Sequence, residues 1–596
     1  MGQKSGQASD SRVPPAWGGI EINCCARVNC DNFQKPPCNQ RSDPYYTISG
    51  AKGDGQCLKC RSCEGYYGIK SNRAVFEEIK RLEYRNARSQ VYRQDGVACH
   101  NTECEGFGVP VNEHPNQYKR IGKTPAQNQR FQCKLCGTRF TQGSHKRASH
   151  PANKSHLNTP LFKALCNKVV NSRISEILDL SPPTIRRKID MFFERSTAFL
   201  HAREKRLQDM TLVRMRLSTD RQEYIVNWTA RKDKRNVILS AIGTADMVSG
   251  YVFGMDVNFD PAVNLWEVET SEGYHQDTCL KPFNRRHARL WTSRDYKSGV
   301  QASYQYKQKV NQLLQRYASS DLPIPLTNAG LSYALDQLSE ESGLDAQEHS
   351  MSTQLPDRGC QVHLEYTMYA HFQRLSRLIG HAWQLRFYLD QEAGINRALS
   401  AAFSQRILEG DCHALYVAIN KELNVDQRRA LVSLTDRQIK RLLDNGFVRT
   451  EQEAKEYMVT EQLDNPITYK GRPEDWFHIP INYIYECEKH VAFITDEAKL
   501  DQRDRVSIML DASLHPIDRF FMLVRRRLSV LERPIHARSN TGSVWTGYNP
   551  YDPSMIEKYL QMMRLYYNYC LKGKDGKTPA QRLGLAKGPV ELRKIL

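Results

Sequence analysis

Eleven of the seventeen cysteines lie between Cys24 and Cys136, several in pairs separated by two to four residues. In a reducing compartment such pairs rarely persist as disulfides and more often bind zinc. Cys99 and Cys104 form C-x4-C, 28 residues follow, and Cys133 and Cys136 form C-x2-C. The same layout occurs earlier: Cys25 and Cys30, then 29 residues, then Cys60 and Cys63. An aromatic residue four positions past the last cysteine also recurs, as Tyr67 and Phe140. Two knuckles that each direct two thiolates inward close a tetrahedral Zn2+ sphere and pin together a sheet too small to fold on apolar burial alone. Two tandem zinc ribbons are therefore expected, each with one structural Zn2+. Cys24, Cys38 and Cys57 are surplus, so a Cys57–Cys60 knuckle is an alternative in the first copy, and His145 and His150 are alternative ligands in the second. The redox reading of RFQCKLCGTRF needs a thioredoxin-like strand and helix, which its polar, glycine-containing flanks do not offer.

A second set of chemistry-bearing residues is acidic. Asp220 ends the alternating stretch VRMRLSTD, Asp390 ends the apolar run HAWQLRFYLD, and Asp518 falls in the first turn of a helix that becomes strongly basic. Acids at the ends of two neighbouring strands and on a nearby helix suit two Mg2+ or Mn2+ ions, which need hard oxygen ligands and bridge a scissile phosphate. Each acid taken singly also fits a cap, a turn or a surface charge. Glu532 and Glu392 are further candidates. Asp518 is preferred to Glu532 because a first-turn acid reaches back toward a sheet, whereas Glu532 sits near a helix end before Pro534 and is expected to point away.

The elements that must hold these residues follow from periodicity. Leu161, Leu165 and Val169 share a helical face, RISEILDL is a short second helix, and SPP turns the chain into a third, TIRRKIDMFFER, with Ser181 as its cap. This is a helix-turn-helix pattern. Its third helix carries Thr184, Arg186, Arg187 and Lys188 near the end that faces base edges and phosphates in such modules. HAREKRLQDM reads as a linker helix. From Val213 the period drops to two through three candidate strands, HALYVAINK is a later strand, and Ile395 to Leu408 reads as one helix. Amphipathic helices between Val425 and Tyr457 read as an insertion. The stretch from Leu280 to Ser350 mixes basic and aromatic residues, which suits DNA contacts or a solvated helix face.

The 596-residue chain is long enough for several domains, and a net charge of +19 with pI near 9.2 suggests a polyanionic partner. Mean hydropathy is −0.62 and no apolar run approaches the length of a membrane span. No membrane association and a cytoplasmic (nucleoid) location are expected. The boundaries read as a leader (1–17), zinc ribbon 1 with a connecting helix (18–85), zinc ribbon 2 (86–155) and a helix-turn-helix module (156–205). A mixed α/β domain (206–535) follows, with insertions at about 280–350 and 425–500, and then a tail (536–596).

In that order, RFQCKLCGTRFTQG, RISEILDLSPPTIRRKI, STDRQEYIVNW with ILSAIGTADMVSGYVFG, FYLDQEAG and the ending MRLYYNYCLKGKDGKTPAQRLGLAKG resemble the transposases of bacterial insertion sequences that carry an RNase H-like catalytic domain of the DDE class. The resemblance implies a multidomain α/β protein: two small zinc ribbons, a helix-turn-helix module and an RNase H-like catalytic domain with a helical insertion. It implies Asp220, Asp390 and Asp518 as the acids holding two Mg2+ or Mn2+, where the family expects a glutamate third. It further implies phosphate contacts from Arg525, Arg526 and Arg527, double-stranded DNA (element ends and target) as partner, and a homo-oligomer on DNA. Two other readings remain open: a catalytically inactive DNA-binding regulator, favoured by the absent glutamate, and a nuclease acting on RNA–DNA hybrids.

Overall fold

The computed structural model describes residues 11–38, 42–49, 56–91, 98–99, 101, 104, 111, 114–125, 129–141, 154–318, 326–327, 330–331, 334, 353–468, 474–532 and 547–596. They form two compact units, one of residues 1–79, 210–525 and 531–557, the other of residues 80–209, 526–530 and 558–596.

The first unit is built on a seven-stranded mixed sheet. Its strands are β1 (Arg214–Val226), β2 (Val237–Asp246), β3 (Val252–Val257), β4 (Gln384–Leu389), β5 (Cys412–Ala418), β6 (Trp476–Ile479) and β7 (Lys489–Phe493). The spatial order is β6-β7-β5-β4-β1-β2-β3. The first three strands form an antiparallel meander, β4 lies parallel to β1 and β5 parallel to β4, and β7 and β6 extend the far edge antiparallel. β5 is buried along its whole length and β4 in all but its first residue. That accounts for their mainly apolar sequences, with Arg386 and His413 as buried exceptions, since parallel central strands are covered on both faces.

The strand carrying Asp220 does not end there, as the alternation suggested. The β1–β2 hairpin stays in register out to Val226 opposite Val237, so Asp220 lies mid-strand, opposite Gly243.

Besides helices Leu265–Thr270, Tyr274–Cys279 and Ser293–Ala318, this unit carries α1 (Leu364–Ile379), α2 (Ala393–Ala402), α3 (Ser404–Glu409), α4 (Val425–Asp444), α5 (Glu451–Thr460), α6 (Gln502–Asp511) and α7 (His515–Arg527). The single helix expected from Ile395 to Leu408 is two. Phe403 leaves helical geometry (φ −119°, ψ 18°), and its ring packs 5.0 Å from that of Phe387 on β4. The insertion begins with a capping box, Asn424 with Gln427. Its buried residues Ile439, Ala454, Met458 and Val459 join Leu415, Val417, Phe477 and Val491 of the sheet in one core.

The second unit holds the three helices expected of a helix-turn-helix: Asn158–Leu165, Asn171–Leu178 and Pro182–Glu204. The first helix stops at Leu165, so Val169 lies outside it, and the expected linker helix is in part the continuation of the third helix to Glu204. Ser181 occupies the cap position, but its hydroxyl pairs with Thr184 Oγ1 at 2.9 Å in place of a backbone amide. The tail belongs to this unit from residue 558. Phe162 meets Phe192 and Tyr566 edge-on, Tyr569 packs 4.9 Å from Phe199, and Arg564 pairs with buried Glu204 at 3.3 Å. No described helix is long and apolar enough to cross a membrane.

Candidate functional site

Each cysteine tetrad closes. In the first unit Cys25, Cys30, Cys60 and Cys63, and in the second Cys99, Cys104, Cys133 and Cys136, bring their sulfurs within 4.8 Å of one another. The closest pairs are Cys25–Cys63 and Cys30–Cys60, both 3.6 Å, and Cys99–Cys136 and Cys104–Cys133, 3.5 and 3.7 Å. A tetrahedron of sulfurs about 2.3 Å from Zn2+ has edges of about 3.8 Å, so both tetrads fit the ion. Without metal the thiols of each tetrad divide: the hydrogen bond between Cys25 and Cys63 lowers Cys63 and raises Cys25, burial raises Cys30 and Cys99, and the Thr138 hydroxyl 3.1 Å away lowers Cys136. Thiolate character is what a metal ligand requires.

The two sites share a local design. Each sits on a three-stranded antiparallel sheet, with the tyrosine opposite a ligand cysteine (Tyr46 opposite Cys60, Tyr118 opposite Cys133) receiving the amide of Cys25 or Cys99 on its hydroxyl. After the second knuckle the chain turns back through positive φ, at Gly137 in one copy and at Glu64 in the other, and the amide of that residue donates to the knuckle carbonyl, Cys133 or Cys60. The surplus cysteines stay out. Cys57 lies three residues from Cys60 on one strand, hence on the opposite face, and its thiol donates to the Ser49 carbonyl. Burial pushes Cys24 up to about 12. His145 and His150 lie outside the described residues.

Ribbon 1 belongs to the sheet unit. Arg397 on α2 donates to the Tyr66 carbonyl at 3.0 Å and stacks 5.0 Å over Tyr67, the Ser71 amide donates to the Tyr366 hydroxyl, and Thr367 donates to Glu78. It therefore braces α1 and α2.

The acids line one cavity of about 1120 Å³ but, unlike the cysteine tetrads, do not bring three ligand atoms within 4.8 Å of one another. Asp220 comes from the middle of β1. Asp390 follows the last residue of β4, and its amide donates to the Thr219 carbonyl, which keeps it beside Asp220 across the parallel pair. Asp518 comes from the first turn of α7. The start of α7 is fixed by a buried carboxylate, Glu486, which accepts from Ser513 Oγ, Leu514 N and His515 N at 2.8, 2.9 and 3.0 Å. A side chain at Gly243 would meet Met255 Sδ at 2.6 Å and Ile517 Cδ1 at 3.0 Å, so the glycine opposite Asp220 is what admits α7 this close to the sheet.

The electrostatics record the convergence. Burial raises Asp220 well above the usual carboxylate range, the charges of Asp390 and Asp518 raise it further, and Lys421 opposes them. Asp518 is raised to about 6, first by burial, with Lys421 opposing and Asp390 and Glu486 adding. Asp220 Oδ1 and Asp390 Oδ1 each accept the following residue's amide, at 2.7 and 3.0 Å.

Glu392 also lines the cavity, ion-paired with Arg221. Glu532 does not point away as expected. α7 ends at Arg527, a 3-10 turn (Ser529–Leu531) redirects the chain, and Glu532 lines the same cavity. The three arginines at the end of α7 do not form one track. Arg525 is on the cavity wall, donating to the Gln222 amide oxygen at 2.9 and 3.3 Å, Arg526 is exposed, and Arg527 donates to Asn167 at 2.7 Å. Consecutive helix positions face about 100° apart. Sequence reading missed Lys421, Arg221, Arg428, Arg519 and Glu486, whose relevance depends on long-range packing and carries no local signal.

On the helix-turn-helix, Arg186 and Arg187 are exposed and Thr184 is half-buried. Lys188 is a correction: it is buried, and its Nζ donates to Asn158 Oδ1 at 2.6 Å and to the Lys154 carbonyl at 3.4 Å. It shares the inner stripe with Ile185, Ile189 and Phe192. Lys188→Met is expected to destabilise the protein by about 1–3 kcal/mol in thermal unfolding. Arg187→Ala should leave the melting curve unchanged and weaken DNA binding. Equal loss of DNA affinity from Lys188→Met, with no change in melting, would restore it as a contact.

Comparison with protein-family models, curated proteins and solved structures gives no match.

Proposed function

We propose that this protein is a DNA transposase of the DDE class, which binds element ends and cleaves and joins DNA strands by two-metal phosphoryl transfer. The observation that carries the reading is the lining of one cavity by Asp220, Asp390 and Asp518, from three separate elements, where the charges of Asp390 and Asp518 add to burial in raising Asp220 and that of Asp390 adds to burial in raising Asp518. The strand order, an antiparallel meander whose first strand is joined by two parallel strands, supports an RNase H-like reading in which β6 and β7 are additions. The hard oxygen donors suit Mg2+ or Mn2+, which when bound polarise the scissile phosphate and lower the proton affinity of the attacking water or hydroxyl.

The chain's own residues hold and orient. Asp220, Asp390 and Asp518 supply the ligands, with Glu532 in the same cavity as a fourth carboxylate. Lys421 offsets their charge in the absence of metal. Arg428, Arg519 and Arg525 line the cavity and offer phosphate contacts that position the strand without reading sequence. Arg186 and Arg187 are the recognition-helix contacts, and ribbon 2 supports them. Ribbon 1 is assigned to the catalytic unit. Strand transfer of this class implies a homo-oligomer on DNA.

The inactive-regulator reading drew on the missing glutamate, and Glu532 in the cavity weakens it. The test is nicking of plasmid DNA with Mg2+ or Mn2+, against EDTA controls. Metal-dependent nicking is expected. No product with either ion would leave the regulator reading, and a strong preference for RNA–DNA hybrids would favour the nuclease reading.

A further inference from the structure

Beside the acidic cavity the connection from β6 to β7 exposes three consecutive apolar side chains, Tyr483 (37 %), Ile484 (48 %) and Tyr485 (45 %). Both tyrosines are ordered into a ladder. The Tyr483 and Tyr485 rings are parallel within 5° at 5.5 Å, and Tyr485 stacks on His515 at 3.9 Å and 25°. Tyr485 and His515 line the cavity itself.

The ladder is held rigidly. Tyr483 and Glu486 exchange backbone hydrogen bonds at 3.1 and 2.8 Å, and Arg428 donates to the Ile484 carbonyl at 3.4 Å. The Glu486 side chain accepts the His515 amide, so one residue fixes both the tyrosine turn and the start of α7. Cations frame it: Lys455 Nζ lies 5.9 Å over Tyr483, and Arg428 and Arg519 are on the cavity wall. Burial lowers His515, which favours the neutral ring that stacks on Tyr485.

Exposed aromatic rings, fixed in place among cations beside a phosphate-handling site, are the composition of a base-stacking platform. An apolar protein partner would meet a rim of charge here, whereas a nucleotide strand presents both a π-face and a phosphate. His515 and Asp518 are one helical turn apart, about 5–6 Å between Cβ atoms, the scale of a single nucleotide step. We propose that the Tyr483–Tyr485–His515 ladder stacks an unpaired nucleobase, that of the nucleotide flanking the phosphate held over Asp220, Asp390 and Asp518. This rests on the cleavage reading above. It gives the β6–β7 extension a role in holding a frayed or extruded base at the cut end.

The probe is a short DNA duplex with one unpaired terminal 2-aminopurine, titrated in EDTA so that no cleavage occurs. The full-length protein is expected to quench its fluorescence and to prefer it to the blunt duplex. Tyr485→Ala with His515→Ala should abolish the quenching and cost roughly ten- to hundred-fold in affinity for the unpaired end, leaving blunt-duplex affinity unchanged. Tyr485→Phe should behave as wild type, which separates stacking from misfolding. Undiminished quenching by the double variant, or equal losses on both duplexes, overturns the ladder. Nicking in Mn2+ without any quenching overturns the ladder alone. Quenching without nicking supports the ladder and removes the cleavage reading.

Discussion

Asp220→Asn is expected to abolish metal-dependent DNA cleavage, by roughly three orders of magnitude or more, on the scale of losing charge stabilisation at a reacting centre. It is also expected to raise the thermal stability of the metal-free protein. The second effect follows from the first unit's electrostatics. Asp220 is buried beside Asp390 and Asp518, and both burial and those charges push its proton affinity up. An acid whose folded pKa lies above its unfolded value binds its proton more tightly when folded, so stability falls as pH rises through that interval. For Asp518 the interval runs from the ordinary 3.8 to about 6. Metal-free wild type should therefore lose stability across that interval, on the order of 3 kcal/mol from this group. Mg2+ or Mn2+ should restore it above pH 6, where the carboxylates are charged. Asparagine at 220 removes the central repulsion, so the variant should melt higher than wild type at pH 7 without metal and respond less to Mn2+. Helix-turn-helix binding of DNA should be unaffected. Nicking by Asp220→Asn at the wild-type rate would sink the catalytic assignment, and a lower metal-free melting point would sink the electrostatic account.

Breaking the first zinc site should be as damaging to cleavage, although no thiolate of that site lines the acidic cavity. Structural Zn2+ in small domains contributes about 10–16 kcal/mol of apparent binding free energy, and much of that is folding free energy. Ribbon 1 passes it to the sheet unit through Arg397, bonded to Tyr66 and stacked on Tyr67, on the helix that directly follows Asp390. Cys60→Ser is expected to reduce zinc content from two per chain to one, lower the melting temperature by more than about 10 °C and abolish nicking. Metal analysis, calorimetry and plasmid nicking check the three parts. Full nicking by a one-zinc Cys60→Ser protein would show that the ribbon is not a brace.

The cysteine tetrads were legible because their chemistry is local: ligand spacing fixes a knuckle, and the repeat of Cys25–Cys63 in Cys99–Cys136 exposes the plan twice. Which unit each ribbon joins was not legible, since it depends on Arg397 and Tyr366, 331 and 295 residues from the groups they bond. The acids at 220, 390 and 518 could be picked out by their places on strands and a helix. Glu532 was misjudged because the Ser529–Leu531 turn reverses the direction that a continuing helix would impose. Lys188 was misread as one member of a basic run, although its spacing from Ile185 and Phe192 puts it on the apolar stripe.

The missing Cβ at Gly243 bears on the identity of the acid that faces it. An aspartate side chain is one methylene shorter than the glutamate the family expects on this helix, a deficit of roughly 1.5 Å. Where a larger residue opposite Asp220 would hold α7 away by about the size of a methyl group, the glycine lets the whole helix sit nearer. Backbone position and side-chain length are thus exchangeable in this fold. On the transposase reading, the aspartate at 518 is then a matched length, and metal-dependent nicking lost in Asp518→Asn is the expected result.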